Sequence, residues 1–274
     1  MKEDLILYRE LAFPIEAIGL ATGVIRIPNG SDEQPARCYG YPPALIPFWS
    51  NPDGMMYTGL WKHWFGTRKP TFVQSYVNVF YRSTEVARTF EQLSCYLLLN
   101  EISIFDVKSA EVKQLATELG VKNIELIEDI SLETGDDPMA LLQLREFLVD
   151  APLNCVPDER TYTGDFPCGT MTLTEESMLG TCSLELGEAL EEKIRRQENR
   201  PLWYSGINKS QLFSRYMDEG RLSDAWFALN SNGWLFEDIY KALEKLALAH
   251  ENPSFHAMVS AWCSKEQGRY KVGY

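Results

Sequence analysis

The chain reads as an α+β protein, with an antiparallel sheet and helices in its N-terminal part and a mainly helical C-terminal part. Three observations predict this class. Two runs rich in β-branched and aromatic residues, Met55–Trp61 and Thr71–Tyr81, are separated by glycine and proline. A helical stripe of Val86, Phe90, Leu93 and Leu97 follows at i, i+4, i+7, i+11. From Ser183 onward, charged amphipathic segments alternate with Pro and Gly stops.

Taken in order, residues 5–27 (LILYRELAFPIEAIGLATGVIRI) mix β-branched and small residues, with Pro14 and Gly19 as breaks, and predict strands and turns. Pro28-Asn29-Gly30 is a turn signal. In Thr71–Tyr81 neither alternating face is cleanly apolar, which predicts a strand covered on both sides. Ser83 or Thr84 is expected to cap a helix running to Leu99. A second helix is expected after Asp106, stopped by Gly120. Residues 124–127 suit a short edge strand, and Asp137-Pro138 suits the start of a helix ending near Val149. Prolines and glycines then break up residues 151–182, read as a loop or linker with short strands. Beyond it come helices around LELGEALEEKIRRQENR (ended by Pro201), QLFSRYMDE (capped by Ser210), DAWFALN, FEDIYKALEKLALAH and the segment after Pro253. The expected division is an α+β domain over 1–150, a linker over 151–182 and a helical domain over 183–274.

With 274 residues, 45% hydrophobic and 24% charged, the composition is that of an ordinary globular protein. No apolar run approaches the length of a membrane span, and MKEDLILYRE lacks the basic-then-apolar order of a signal peptide, so no membrane association and a cytoplasmic location are expected. Six cysteines in a chain of this size, none with C-x-x-C spacing, favour reduced thiols. His63, His250 and His256 show no ligand spacing, so no metal and no cofactor are expected.

The net charge of −13 is uneven. Residues 101–150 carry twelve acids against four bases, and six acids fall within residues 125–137, among them Glu125, Glu128, Asp129 and Glu133. Such a face repels a phosphate backbone and argues against nucleic acid. It attracts and steers a basic protein partner, or else serves only solubility.

The residue types that carry chemistry concentrate between Cys38 and Phe80. Eight of the 27 residues from Tyr39 to Phe65 are aromatic, punctuated by Pro and Gly. Flat side chains on stiff turns often make recognition surfaces, so Trp49, Tyr57, Trp61 and Trp64 are candidate binding residues together with Asp53, His63 and Arg68. His63 paired with Asp53 and helped by Arg68 would make an acid–base enzyme acting on a small polar or glycan substrate. The competing reading is a packed histidine, since no G-x-S-x-G, H-E-x-x-H or P-loop pattern accompanies it. Asp53 is the only acid between Glu33 and Glu85, so paired-carboxylate glycan hydrolysis lacks a local second partner. No residue is assigned a catalytic role.

Ile46-Pro47-Phe48-Trp49, then Asp53-Gly54, then Tyr57 to Trp61, followed by the Thr71–Tyr81 run and a helix, resembles the SMI1/KNR4 (SUKH) superfamily over roughly residues 10–105. The resemblance implies an α+β domain with a central antiparallel sheet. It also implies a non-catalytic binding role: many members are immunity proteins that neutralise toxins, and others are scaffolding or regulatory modules. A basic toxin would suit the charge of this chain.

Overall fold

The computed structural model describes residues 2–30, 39–53, 55–105, 108–264 and 273–274. Its sheet is a four-stranded antiparallel meander in the order β1 (Leu45–Ser50), β2 (Met56–Trp61), β3 (Thr71–Tyr76), β4 (Arg82–Ala87). All of β1 is buried, as are five of six residues in β2 and in β3. The sheet is therefore covered on both faces, which explains why neither side of the β3 sequence is polar. β1 carries a bulge between Pro47 and Trp49, and Pro47 is tolerated because β1 is an edge strand.

Two helices precede the sheet where strands were expected: α1 (Lys2–Glu10) and α2 (Ile15–Thr22). Asp4, Leu7 and Tyr8 are the buried residues of α1, at helical spacing, and α1 packs on the last helix. Pro14 is the N-cap of α2 rather than a strand break, and Gly23 closes it in a left-handed conformation. β-branched content misled here because helices this short draw their stability from tertiary packing.

The expected strand 71–81 ends at Tyr76. A 3-10 turn comes next (Val77–Val79), and Phe80 and Tyr81 take positive φ to reverse the chain into β4. Ser83 and Thr84 therefore lie in a strand, and Thr89 caps the helix by accepting from the Gln92 backbone at 3.2 Å. That helix, α3 (Phe90–Phe105), is buried at every position from Gln92 to Leu99 and contacts β4 and both of the next two helices. The helix α4 (Ala110–Glu118) starts from a Ser109 cap; the expected start at Asp106 lies outside the described residues. Residues 124–127 form no edge strand but open α5 (Ile124–Thr134), where Ile127, Ile130 and Ser131 turn inward at helical spacing. Asp137 does cap the segment that begins at Pro138, yet that segment makes two 3-10 turns (Pro138–Gln143, Arg145–Phe147) instead of one helix.

Residues 151–182 contain 3-10 turns and α6 (Glu175–Leu179), without the expected short strands. The segment is tied to the sheet region: Leu153 N donates to Glu85 (2.7 Å), and Asp165 accepts from Lys69 N (3.2 Å). The rest is helical as expected: α7 (Glu188–Arg195), α8 (Lys209–Asp218), α9 (Leu222–Leu229), α10 (Phe236–Ala249) and α11 (Pro253–Cys263). The cap of α8 is Asn208, not Ser210. One buried cluster runs from Leu7 to Tyr274, so the boundaries at 150 and 182 do not separate two cores. Asn230 helps join the parts, accepting from Ala44 N through its side chain and from the Cys182 thiol through its carbonyl. Among the described residues, no helix is long and apolar enough to cross a membrane.

Candidate functional site

The aromatic-rich stretch builds core rather than surface. Trp49, Tyr57 and Trp61 are buried, Tyr57 edge-on to Tyr41 at 5.5 Å. Trp64 is half-buried against Phe255, with the Lys62 ammonium 4.8 Å above its ring. Strands covered on both sides bury Trp49, Tyr57 and Trp61, so these side chains do not form an exposed stacking platform.

His63 and Asp53 are not partners. They flank opposite ends of β2, and six residues of strand span roughly 20 Å. Asp53 is exposed in the β1–β2 turn, where it accepts from Met55 N at 3.1 Å. His63 and Arg68 do come together, and Glu185 joins them from 117 residues beyond Arg68. The His63 Nε2 atom lies 3.0 Å from Glu185 Oε1 and 3.2 Å from Arg68 Nη1, and accepts from Trp61 Nε1 at 3.2 Å. Arg68 Nη1 also donates to Glu185 Oε2 (2.5 Å) and to the Gly180 carbonyl (2.9 Å). The Glu185 side chain is fully inaccessible and that of Arg68 is 7% exposed.

Electrostatics follow from this enclosure. Burial pushes the His63 pKa down, and the adjacent Arg68 cation adds to that, so the ring is neutral at pH 7. Burial alone would raise the Glu185 carboxyl, but Arg68 and His63 outweigh it and hold it below the ordinary range. A cleft of about 480 Å³ reaches the cluster, lined by His63, Arg68, Asp165, Glu176 and Ser223 among others. Yet Nε2 of His63 is engaged by three groups, and Nδ1 is sealed from solvent without a partner among the described residues. A general base needs a nitrogen within reach of a substrate proton. This cluster instead neutralises itself inside the fold.

The acidic residues sit differently. On α5 the buried Ile127, Ile130 and Ser131 fix the inward face, which turns Glu125, Asp129, Leu132 and Glu133 outward. Lys108 Nζ pairs with Glu128 at 2.6 Å and Glu125 at 3.5 Å, and its hydrogen bond holds Glu128 below the usual carboxylate range. Asp129 and Glu133 are not buried and form no ion pair among the described residues, and Leu132 is 68% exposed between them. An exposed leucine within free carboxylates is a surface with both apolar and charged purchase.

Sequence reasoning missed Glu185 and Glu101. Glu185 is an acid between Leu184 and Leu186, both buried, and Glu101 continues the inward face of α3 four residues after Leu97. An acid embedded in an apolar pattern was the available signal in both cases. Comparison with protein-family models, with curated proteins and with solved structures returns no match.

Proposed function

We propose that this protein acts by binding a basic protein partner through the exposed acidic face of α5, making and breaking no covalent bond. The single observation that carries this is the contrast between its two groups of charges. The buried cluster at His63 is internally neutralised, whereas Asp129 and Glu133 stand on a rigid, packed helix without counter-charges among the described residues. Free carboxylates on a fixed scaffold raise the encounter rate with a cationic surface. Under the SMI1/KNR4 resemblance the partner would be a basic toxin held inactive by occlusion. The enzyme reading through His63 and Asp53 loses its geometry, since the two residues lie at opposite ends of β2.

The test is co-purification and kinetics with the product of the adjacent gene. Wild type is expected to form a complex whose association rate falls steeply with added salt. The double variant Asp129→Lys/Glu133→Lys should lower kon by about tenfold or more at low salt, while reversal at Glu237, an exposed acid on α10, should leave it nearly unchanged. A complex indifferent to salt and to both reversals, or no complex, removes the proposal.

A further inference from the structure

We propose that the cleft between the sheet and α3 is a receptor for an organic cation, a guanidinium or ammonium group, with Glu101 as its counter-charge. The inference rests on the protein-binding reading above for the source of that cation, which we assign to an arginine or lysine side chain of the basic partner.

The cleft measures about 620 Å³ and includes Trp49, Gln74, Tyr76, Tyr96, Asn100 and Glu101 in its lining. Each wall has a local reason. Trp49 comes from the bulged edge strand, Gln74 and Tyr76 from β3, and the last three from two adjacent turns of α3. The Gln74 Oε1 atom accepts from both tyrosine hydroxyls, Tyr76 at 2.9 Å and Tyr96 at 3.0 Å. Both hydroxyl protons are thereby committed to Gln74, so each phenol oxygen is left only as an acceptor, that of Tyr96 already hydrogen-bonded by the Asn100 side chain.

Glu101 is the unusual member. It is only 4% exposed, and its Oε2 accepts from the Asn29 backbone (3.2 Å) and side-chain amide (3.4 Å). Among the described residues no cation lies within ion-pair distance of it, and Oε1 takes no hydrogen bond. Other buried acids are answered: Glu185 by Arg68, Asp224 by Arg221, and Glu85 by hydrogen bonds on both of its oxygens. A buried carboxylate is costly to keep unless a charge or full hydrogen bonding compensates it, and here the group lines a cleft with no base among the described lining residues.

The shape and chemistry select an organic cation over a metal ion. Two carboxylates, Glu101 and Asp136, with amides and aromatic rings make a poor divalent site, and no cluster of three metal-ligating side chains occurs among the described residues. A guanidinium, by contrast, stacks on aromatic faces while donating to a carboxylate and to carbonyl or phenol oxygens. The volume accommodates a side chain rather than a lone ion. Asp136 lines the same cleft and lies two residues past α5, so the receptor is continuous with the acidic face. A basic partner steered to α5 thus meets a pocket of the kind in which interface anchors sit.

The probe is N-acetyl-arginine methylamide, with the uncharged N-acetyl-citrulline methylamide as control, followed by amide and side-chain NMR shifts. We expect the arginine probe to move signals of Gln74, Asn100 and Glu101 with a Kd on the order of millimolar, and the citrulline probe to move none. The variant Glu101→Gln should weaken the probe by about tenfold or more, whereas Asp129→Lys/Glu133→Lys should change it by less than about threefold. An equal response to both probes, no response, or undiminished binding by Glu101→Gln overturns the receptor. If Glu101→Gln loses the probe yet binds the whole partner as tightly as wild type, the receptor stands and its ligand is a free small cation, which overturns the assignment to the partner's side chain. Failure of the α5 reading shows separately, as probe binding without any protein complex.

Glu101→Gln is expected to fold. An amide oxygen still accepts from Asn29, and the buried charge is gone. Burial raises the Glu101 pKa, opposed by the Asn29 hydrogen bonds, and the titratable groups sharing its cleft are Asp136, Tyr76 and Tyr96. A raised folded pKa means that the ionised form costs stability once the pH exceeds the unfolded value. The variant should therefore match wild type below about pH 4 and exceed it at neutral pH, as read by urea unfolding.

Discussion

Glu185→Ala is expected to destabilise the protein by about 3–5 kcal/mol, measured by urea unfolding at pH 7. The substitution leaves the Arg68 guanidinium, only 7% exposed, without its counter-charge and with its Nη2 already lacking a partner among the described residues. It also removes the acceptor for Cys182 N (3.3 Å) and the carboxylate oxygen 3.0 Å from His63 Nε2. The penalty is that of an uncompensated buried cation rather than the net worth of the pair. The double variant Arg68→Met/Glu185→Leu should consequently recover much of the loss, because two apolar side chains carry no desolvation cost. An exposed pair sets the contrast. Glu192→Ala removes the i,i+4 bridge to Arg196, both side chains mostly solvated, and should cost no more than about 0.5 kcal/mol. If Glu185→Ala falls within that small range, the cluster is not what holds these segments together.

The same cluster predicts the acid limb of stability. The folded-state pKa of Glu185 is depressed, so its contribution is complete above the unfolded value and is lost as pH falls through the folded one. His63 is also depressed, by burial first and by Arg68 second. The unfolded imidazole takes up a proton below about pH 6.5 that the folded one refuses, so stability begins to fall there. Wild type should thus lose stability in two stages on acidification, and Glu185→Ala should lack the lower stage that comes from its own carboxyl.

The fold class was legible because it depends on patterns longer than any one element. Met55–Trp61 and the start of Thr71–Tyr81 have strand composition and turn residues between them, and the C-terminal helices have caps and stops within a few residues of where they form. Errors arose where tertiary context decides. Residues 124–127 are apolar and acidic in mixture, which fits a strand over four positions; only Ile130 and Ser131 reveal the helical face. Ser83 and Thr84 are good caps by residue type, yet pairing with Ser75 and Gln74 places them in β4. The candidate site was legible in half. The acids of α5 declare themselves by density, and exposure follows from the inward isoleucines. His63 and Arg68 were visible as chemistry-bearing residues, but Glu185 lies more than a hundred positions away, and no local spacing joins them. The tryptophans were misplaced for a simple reason: aromatic content signals burial and recognition equally, and only the covering of both sheet faces separates the two.

Gly59→Ala is expected to cost about 3 kcal/mol, at the upper end of the range for overpacked cores, because the obstruction is backbone. A Cβ at position 59 would lie 2.2 Å from the Ile46 carbonyl oxygen and 2.6 Å from the Pro47 Cα. Gly59 pairs with Pro47 immediately before the bulge, and there the edge strand passes closest to β2. A flexible side chain could step aside; a carbonyl and a proline Cα cannot move without shifting β1 as a whole. That strand places Phe48 against Phe13 and Phe72, and it carries Trp49 into the wall of the cation cleft. Gly59→Ala should therefore reduce stability and arginine-probe binding together, whereas Glu101→Gln reduces probe binding alone. Gly66→Ala is the control, since no atom lies within 4 Å of its would-be Cβ, and its effect should stay within about 0.5 kcal/mol. A urea midpoint for Gly59→Ala as close to wild type as that of Gly66→Ala would show that β1 does not approach β2 at this point. The bulge would then have no role in aiming Trp49, and the cleft would lose one of its walls.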